Sequence, residues 1–123
     1  MDEITKEVLK EVLKDALVSW GLFISSIFVH ELGHVLAAYL LGVKVISIYF
    51  GVFFENRFGG FTIIEPTTPL NTILIAFSGG FFQVLYLCLL GRKYGLKELN
   101  DVFVIINVIY WIYETLSYVL LLI

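Results

Sequence analysis

The chain is short of charge, cysteine and proline. Charged residues make up 15% of its 123 positions, and it has one cysteine, two prolines and two histidines. A soluble domain carries about 25% charged residues, so the shortage excludes that class. Eight basic against eleven acidic residues leave a net charge of −3, with neither a basic patch for nucleic acid nor an acidic tail. The lone Cys88 excludes an internal disulfide and a cysteine-based metal cluster. Within VLYLCLLG it reads as a small buried hydrophobe. Both prolines fall in the EPTTPL stretch, which reads as punctuation between two elements.

Apolar residues fill the space that charge leaves: 59% of the chain, with a mean hydropathy of +0.93. So small a body cannot bury that much apolar surface in itself, and the bilayer is the natural solvent. The expected fold is one mainly α membrane domain of three spans. Residues 1–15 place Ile4, Val8, Val12 and Leu13 at helical spacing, an amphipathic helix lying on the membrane or leading into the first span. The apolar run 16–41 is long enough to cross, has Trp20 and Tyr39 near its ends, and stops at Gly42. Eight charges of mixed sign in the first fifteen residues and the length of this run argue against a cleavable leader. Residues 43–64 are rich in Val, Ile, Phe and Tyr around an Glu55-Asn56-Arg57 break and predict a small membrane-associated β-hairpin covered on both faces. Thr68 and Pro69 predict the cap and first turn of a second span, 70–90. Asn100 or Asp101 is the expected cap of a third, 102–123.

The first span holds His30-Glu31-Leu32-Gly33-His34. Histidines four apart share one helix face and can hold one metal ion. Glu31 sits beside them, placed to move a proton to and from water that the metal polarises. A metal-free remnant or a structural polar cluster are the blander readings. Ionisable groups at mid-bilayer cost about 2.5–3.5 kcal/mol each, and these are the only histidines in the chain, which favours a zinc site with one ion per chain. A third ligand is needed. Glu114 is the acidic residue deep in the third span, on the face Asn107, Trp111, Glu114, Tyr118. The alternative is a Glu114 hydrogen-bonded to a neighbouring span. Asp101, Glu65 and Glu55 sit in or near loops. In the second span, Ser78, Gly79 and Gly80 suit close helix packing, and Gln83 serves either a structural hydrogen bond or a substrate.

HELGHVLAAYLLGVKVISIYFG, FGGFTI, SGGFFQ and NVIYWIYE together resemble the site-2 protease family of intramembrane zinc metalloproteases. The likeness covers roughly residues 20–118. Gly80 stands where the family has a proline, Gln83 where it has an asparagine, and Glu114 where it has an aspartate one position later. The resemblance implies a compact, core-only protease. His30, His34 and Glu114 would hold Zn2+, Glu31 would be catalytic, and Asn107 or Gln83 would steady the oxyanion. Its substrate would be a membrane-anchored protein. It would be a multi-pass protein of the cell membrane, and three spans leave room for a homo-oligomer around the metal. A catalytically impaired member acting as a membrane-protein binding module is the alternative, and a metal carrier a third. The lysines of residues 1–15 and the Arg92–Lys97 loop place the N-terminus in the cytoplasm; the resemblance implies the reverse orientation.

Overall fold

The computed structural model describes residues 2–49, 53–54, 57–58, 60–94 and 98–122. Glu55 and Lys97, which the sequence reading names, lie outside them. Three helices, α1 (Glu3–Leu40), α2 (Pro69–Lys93) and α3 (Glu98–Leu122), carry a β-hairpin between the first two. All three are long and apolar enough to cross a membrane.

The predicted surface helix and first span form one rod. Asp2 caps it, with Oδ1 accepting from the Thr5 N–H at 2.7 Å, a bond that holds its carboxyl below the usual range. No proline interrupts the next 38 residues, which extend about 57 Å at 1.5 Å per residue. That is nearly twice the hydrocarbon thickness of about 30 Å. Residues 3–15 are exposed throughout, so they project as the leading part of α1. Trp20 and Tyr39 are exposed and lie about 28 Å apart along the axis, which suits the two interfaces.

Gly42 ends α1 as expected. Its φ of +71° is left-handed, a conformation glycine adopts without steric cost. Gly42 N–H donates to Tyr39 at 3.2 Å and Val43 N–H to Ala38 at 2.8 Å, the paired bonds of a Schellman stop. Val43 then buries against Ala37, Ala38 and Ile75, turning the chain directly into β1 (Val45–Tyr49). β1 pairs antiparallel with β4 (Phe61–Ile64), and within this hairpin β2 (Phe53–Phe54) pairs with β3 (Arg57–Phe58). Val45 and Ile64 pack on the Ala37–Ile75 cluster. The hairpin's other face is open: Ile46 and Ile63 are exposed. It was expected to be covered, but the helices fill only one side.

Thr68 caps α2, accepting from Asn71 N–H at 3.2 Å, with Pro69 as its first residue. The predicted cap of α3 is a correction. Asn100 and Asp101 lie inside the helix, which begins at Glu98. Asn100 is instead buried, donating to the Leu87 carbonyl at 3.2 Å. Cys88 is also corrected, being exposed. The buried stripe of α2 runs through Ile75, Gly79, Gln83, Leu87 and Gly91, and Cys88 points off it. Leu85 and Leu89 face outward too, while Leu87 faces in.

Burial is inverted relative to a soluble protein. Ser19, Ser26, His30, Glu31, His34, Gln83, Asn100 and Asn107 are buried, while Leu17, Ile24, Phe28, Leu32 and Leu36 of α1 are exposed. Water would make such a surface costly; hydrocarbon does not. The length and apolarity of the helices are those of a multi-pass membrane protein.

Glycines set how close the helices come. A Cβ on Gly33 would meet the Ser78 carbonyl at 2.8 Å and the Gly79 Cα at 3.1 Å. A Cβ on Gly80 would overlap the Trp111 ring, whose Nε1 donates to the Phe77 carbonyl at 2.8 Å. Gly80→Ala is expected to destabilise the assembly by about 1–3 kcal/mol, the range for overpacking, measured by reversible unfolding in mixed micelles. Trp111→Ala should absorb part of that cost, giving a double variant that is less than additive. Strict additivity would show that the two residues do not constrain one another.

Candidate metal centre

Each candidate side chain is placed by a helix face. His30, Glu31 and His34 lie on the buried stripe of α1, and α2 meets them with residues four apart. The His34 Nδ1 lies 2.6 Å from the Ile75 carbonyl oxygen. Gly79 has its α-carbon against the His34 ring, where any Cβ would overlap it. Gln83 Oε1 lies 2.8 Å from His30 Nδ1. Glu114, on α3, closes the third side.

The proton positions follow from the partners. The Ile75 carbonyl can only accept, so His34 Nδ1 carries a hydrogen. For His30 the reasoning runs through a relay. Ser26 Oγ donates to the Phe23 carbonyl at 2.5 Å and accepts from Gln83 Nε2 at 2.9 Å. That fixes the Gln83 amide with Oε1 toward His30, and His30 Nδ1 must be the donor. Both imidazoles therefore turn Nε2 toward the same point.

Glu114 occupies that point's far side. Its Oε2 is 3.3 Å from His30 Nε2 and its Oε1 3.4 Å from His34 Nε2. Glu114 Oε2 is fully buried and has no hydrogen-bond partner. With both imidazoles neutral, lone-pair-bearing atoms converge here without a donor between them, an arrangement that a metal ion or a proton on an imidazole relieves. Ligands about 2.0–2.1 Å from a four-coordinate ion lie about 3.3–3.4 Å from one another, the observed nitrogen–oxygen spacing. His30, Glu31 and His34 also each offer a ligand atom within 4.8 Å of the others. The residues fit a metal ion, and nothing in the spacing alone selects zinc.

Glu31 is buried beside the pair. Its Oε2 accepts a hydrogen bond from Thr62 Oγ1 on β4. Gly60, just before β4, is packed so closely that a Cβ there would meet Glu31 Cγ at 3.0 Å. The hairpin is therefore what holds the carboxylate.

Three residues of the α3 face read from the sequence, Asn107, Glu114 and Tyr118, reach the site, while Trp111 packs on Gly80 and Phe77 of α2. Asn107 is buried and donates to the Phe103 carbonyl at 2.8 Å; it lines a cavity with His30, Glu31 and Gln83. Tyr118 lines a second cavity with His34 and Glu114. Gln83 has both ends of its amide engaged, with His30 and Ser26, so its evident work is to orient His30. The weaker ligand candidates stand apart. Glu65 accepts from the exposed Lys44 N–H at 3.1 Å. Asp101 is thirteen residues from Glu114 on the same helix, about 20 Å away. Thr62, Ser26 and the Ile75 carbonyl went unnoticed in sequence. Thr62 and Ser26 look like ordinary strand and span residues, and a carbonyl carries no residue signature. No family model matches the chain, and neither does any curated protein or solved structure.

The purified chain is expected to bind one divalent ion, counted by elemental analysis against protein concentration. Glu114→Ala should lose it. Gln83→Leu should weaken binding roughly 10- to 100-fold, the usual effect of removing the group that orients a metal-bound histidine. Full retention in Glu114→Ala would move the third ligand to Glu31.

Proposed function

We propose that the chain is an intramembrane zinc metalloprotease that cuts membrane-anchored proteins, as its resemblance to the site-2 protease family implies. The observation that carries the reading is the convergence of the His30 and His34 Nε2 atoms on a buried Glu114 carboxylate, beside a second buried carboxylate, inside helices of membrane length. Two imidazoles and one carboxylate are a zinc donor set; carboxylates and carbonyls alone would suit magnesium or calcium. Zinc, when bound, supplies a Lewis acid for the scissile carbonyl and lowers the pKa of water to about 7.

The remaining steps belong to side chains. Glu31 accepts a proton from water at its free carboxylate oxygen and later hands it to the leaving amide nitrogen. Thr62 keeps the other oxygen occupied, so the base presents one defined atom. Asn107 supplies an N–H to the developing oxyanion from the cavity wall, and Gln83 holds His30 in its tautomer. The β1–β4 hairpin touches Glu31 through Gly60 and Thr62. A substrate segment added to its open edge as a further strand would be extended beside the base, which a peptide bond inside a helix is not.

The test is cleavage of a single-span model protein by the zinc-loaded chain in proteoliposomes. Glu31→Gln should lower the rate by about 10²- to 10⁴-fold, the range for general acid–base groups, with zinc content unchanged. Undiminished cleavage by Glu31→Gln, or a wild-type chain without metal, would sink the reading. Zinc binding without cleavage, together with retention of a membrane-protein partner, would favour the binding-module alternative.

A further inference from the structure

Two cavities adjoin the site, and they differ in kind. The smaller, about 80 Å³, lies on the His34 and Glu114 side, and Thr62, Thr72, Ile75 and Tyr118 are among its other lining residues. It has room for water but not for a large side chain. The larger, about 190 Å³, lies on the His30 side. His30, Glu31, Gln83 and Asn107 are its polar lining; Phe23, Ile27, Ile106 and Tyr110 are its apolar lining. Tyr110 has its ring centroid 6.1 Å from that of His30, and Phe23 is held by stacking on Phe103 at 4.6 Å. Gly60 lines the cavity where a side chain would crowd Glu31 and the Tyr49 carbonyl.

We propose that this larger cavity is the specificity pocket of the site, taking a large apolar side chain, leucine or phenylalanine, from the substrate residue next to the cut bond. The inference rests on the protease reading above. Volume sets the upper end of the range: an apolar cavity of about 150 Å³ accommodates benzene. Charge sets the exclusion. Among the described residues Glu31 is the one carboxylate lining the pocket and no lysine or arginine lines it, so an acidic side chain would be repelled and left unpaired in an apolar wall. A glycine or alanine would leave the space unfilled and forfeit the contacts. The pocket is also the only one of the two that adjoins Glu31 and Asn107, the groups that act on the substrate.

The pocket can be tested without a known substrate. The probes are acetohydroxamic acid and 3-phenylpropanohydroxamic acid, which share a metal-chelating head and differ in the arm. Their affinities for the zinc-loaded full chain in detergent micelles are compared at equal free aqueous concentration. The arm is expected to tighten binding about tenfold or more. Ile106→Trp, at a half-exposed position that tolerates bulk, should remove most of that gain and leave acetohydroxamic acid within about twofold. Ile106→Ala should keep the gain and extend it to a naphthyl arm. Equal affinity of the two probes for the wild type, a gain that survives Ile106→Trp, or no binding of either probe would overturn the proposal. Failure of the protease reading shows elsewhere, as absence of Glu31-dependent cleavage while the arm preference persists.

Discussion

Much of this fold answers to one electrostatic problem, the facing of two imidazole nitrogens and a carboxylate in a buried place. Left alone, those lone pairs repel, and burial strengthens the repulsion. A cation between them turns the same burial into attraction. The surrounding structure keeps the arrangement from relaxing. The Ile75 carbonyl and the Gln83–Ser26–Phe23 relay deny each histidine the other tautomer. Gly79 lets the His34 ring sit against α2. Trp111, seated on Gly80 and bonded to Phe77, anchors α3 one turn before Glu114.

The division of labour among the helices follows. α1 brings the two imidazoles and Glu31, α2 fixes the imidazole tautomers, and α3 sets Glu114 against both rings. The hairpin reaches in from the side to hold Glu31. α2 acts in both directions, because its stripe at four-residue spacing meets the histidines at one end and Asn100 at the other. Two adjacent glycines of α2 sit where large neighbouring groups must fit, an imidazole of α1 at Gly79 and an indole of α3 at Gly80.

Much of this was legible in the sequence because it rests on spacing. The histidines four apart, the Asn107–Tyr118 face, the Gly42 stop and the Thr68–Pro69 start each follow from local backbone rules, and the structure places them accordingly. What sequence reading missed depends on neighbours. Asn100 has the composition of a cap, yet burial against Gly91 and a bond to Leu87 draw it into the helix. Cys88 lies one step off the buried stripe of α2, and only the packing partners show which side is inward. Thr62 becomes a site residue through a strand pairing thirty-one positions from Glu31, a distance no local pattern spans. Polarity changes between residues 1–15 and the first span, so sequence alone leaves a separate surface helix and a continuous rod both open; the structure has the rod. The backbone has no reason to notice polarity, and no proline or glycine breaks the rod at that point.

That uninterrupted rod has a rotational consequence. In an α-helix each residue advances the side chains by about 100°. The charged leading segment and the imidazole pair share α1, so the direction in which Lys6, Lys10 and Lys14 point is phase-locked to the direction in which His30 and His34 point. Neither end can turn without the other. An insertion between them acts through angle: one residue would swing the leading segment by a quarter-turn and more, whereas a group of seven would nearly restore it. The first helix is thus a shaft as well as a span, and its length in residues is a setting of angle as much as of reach.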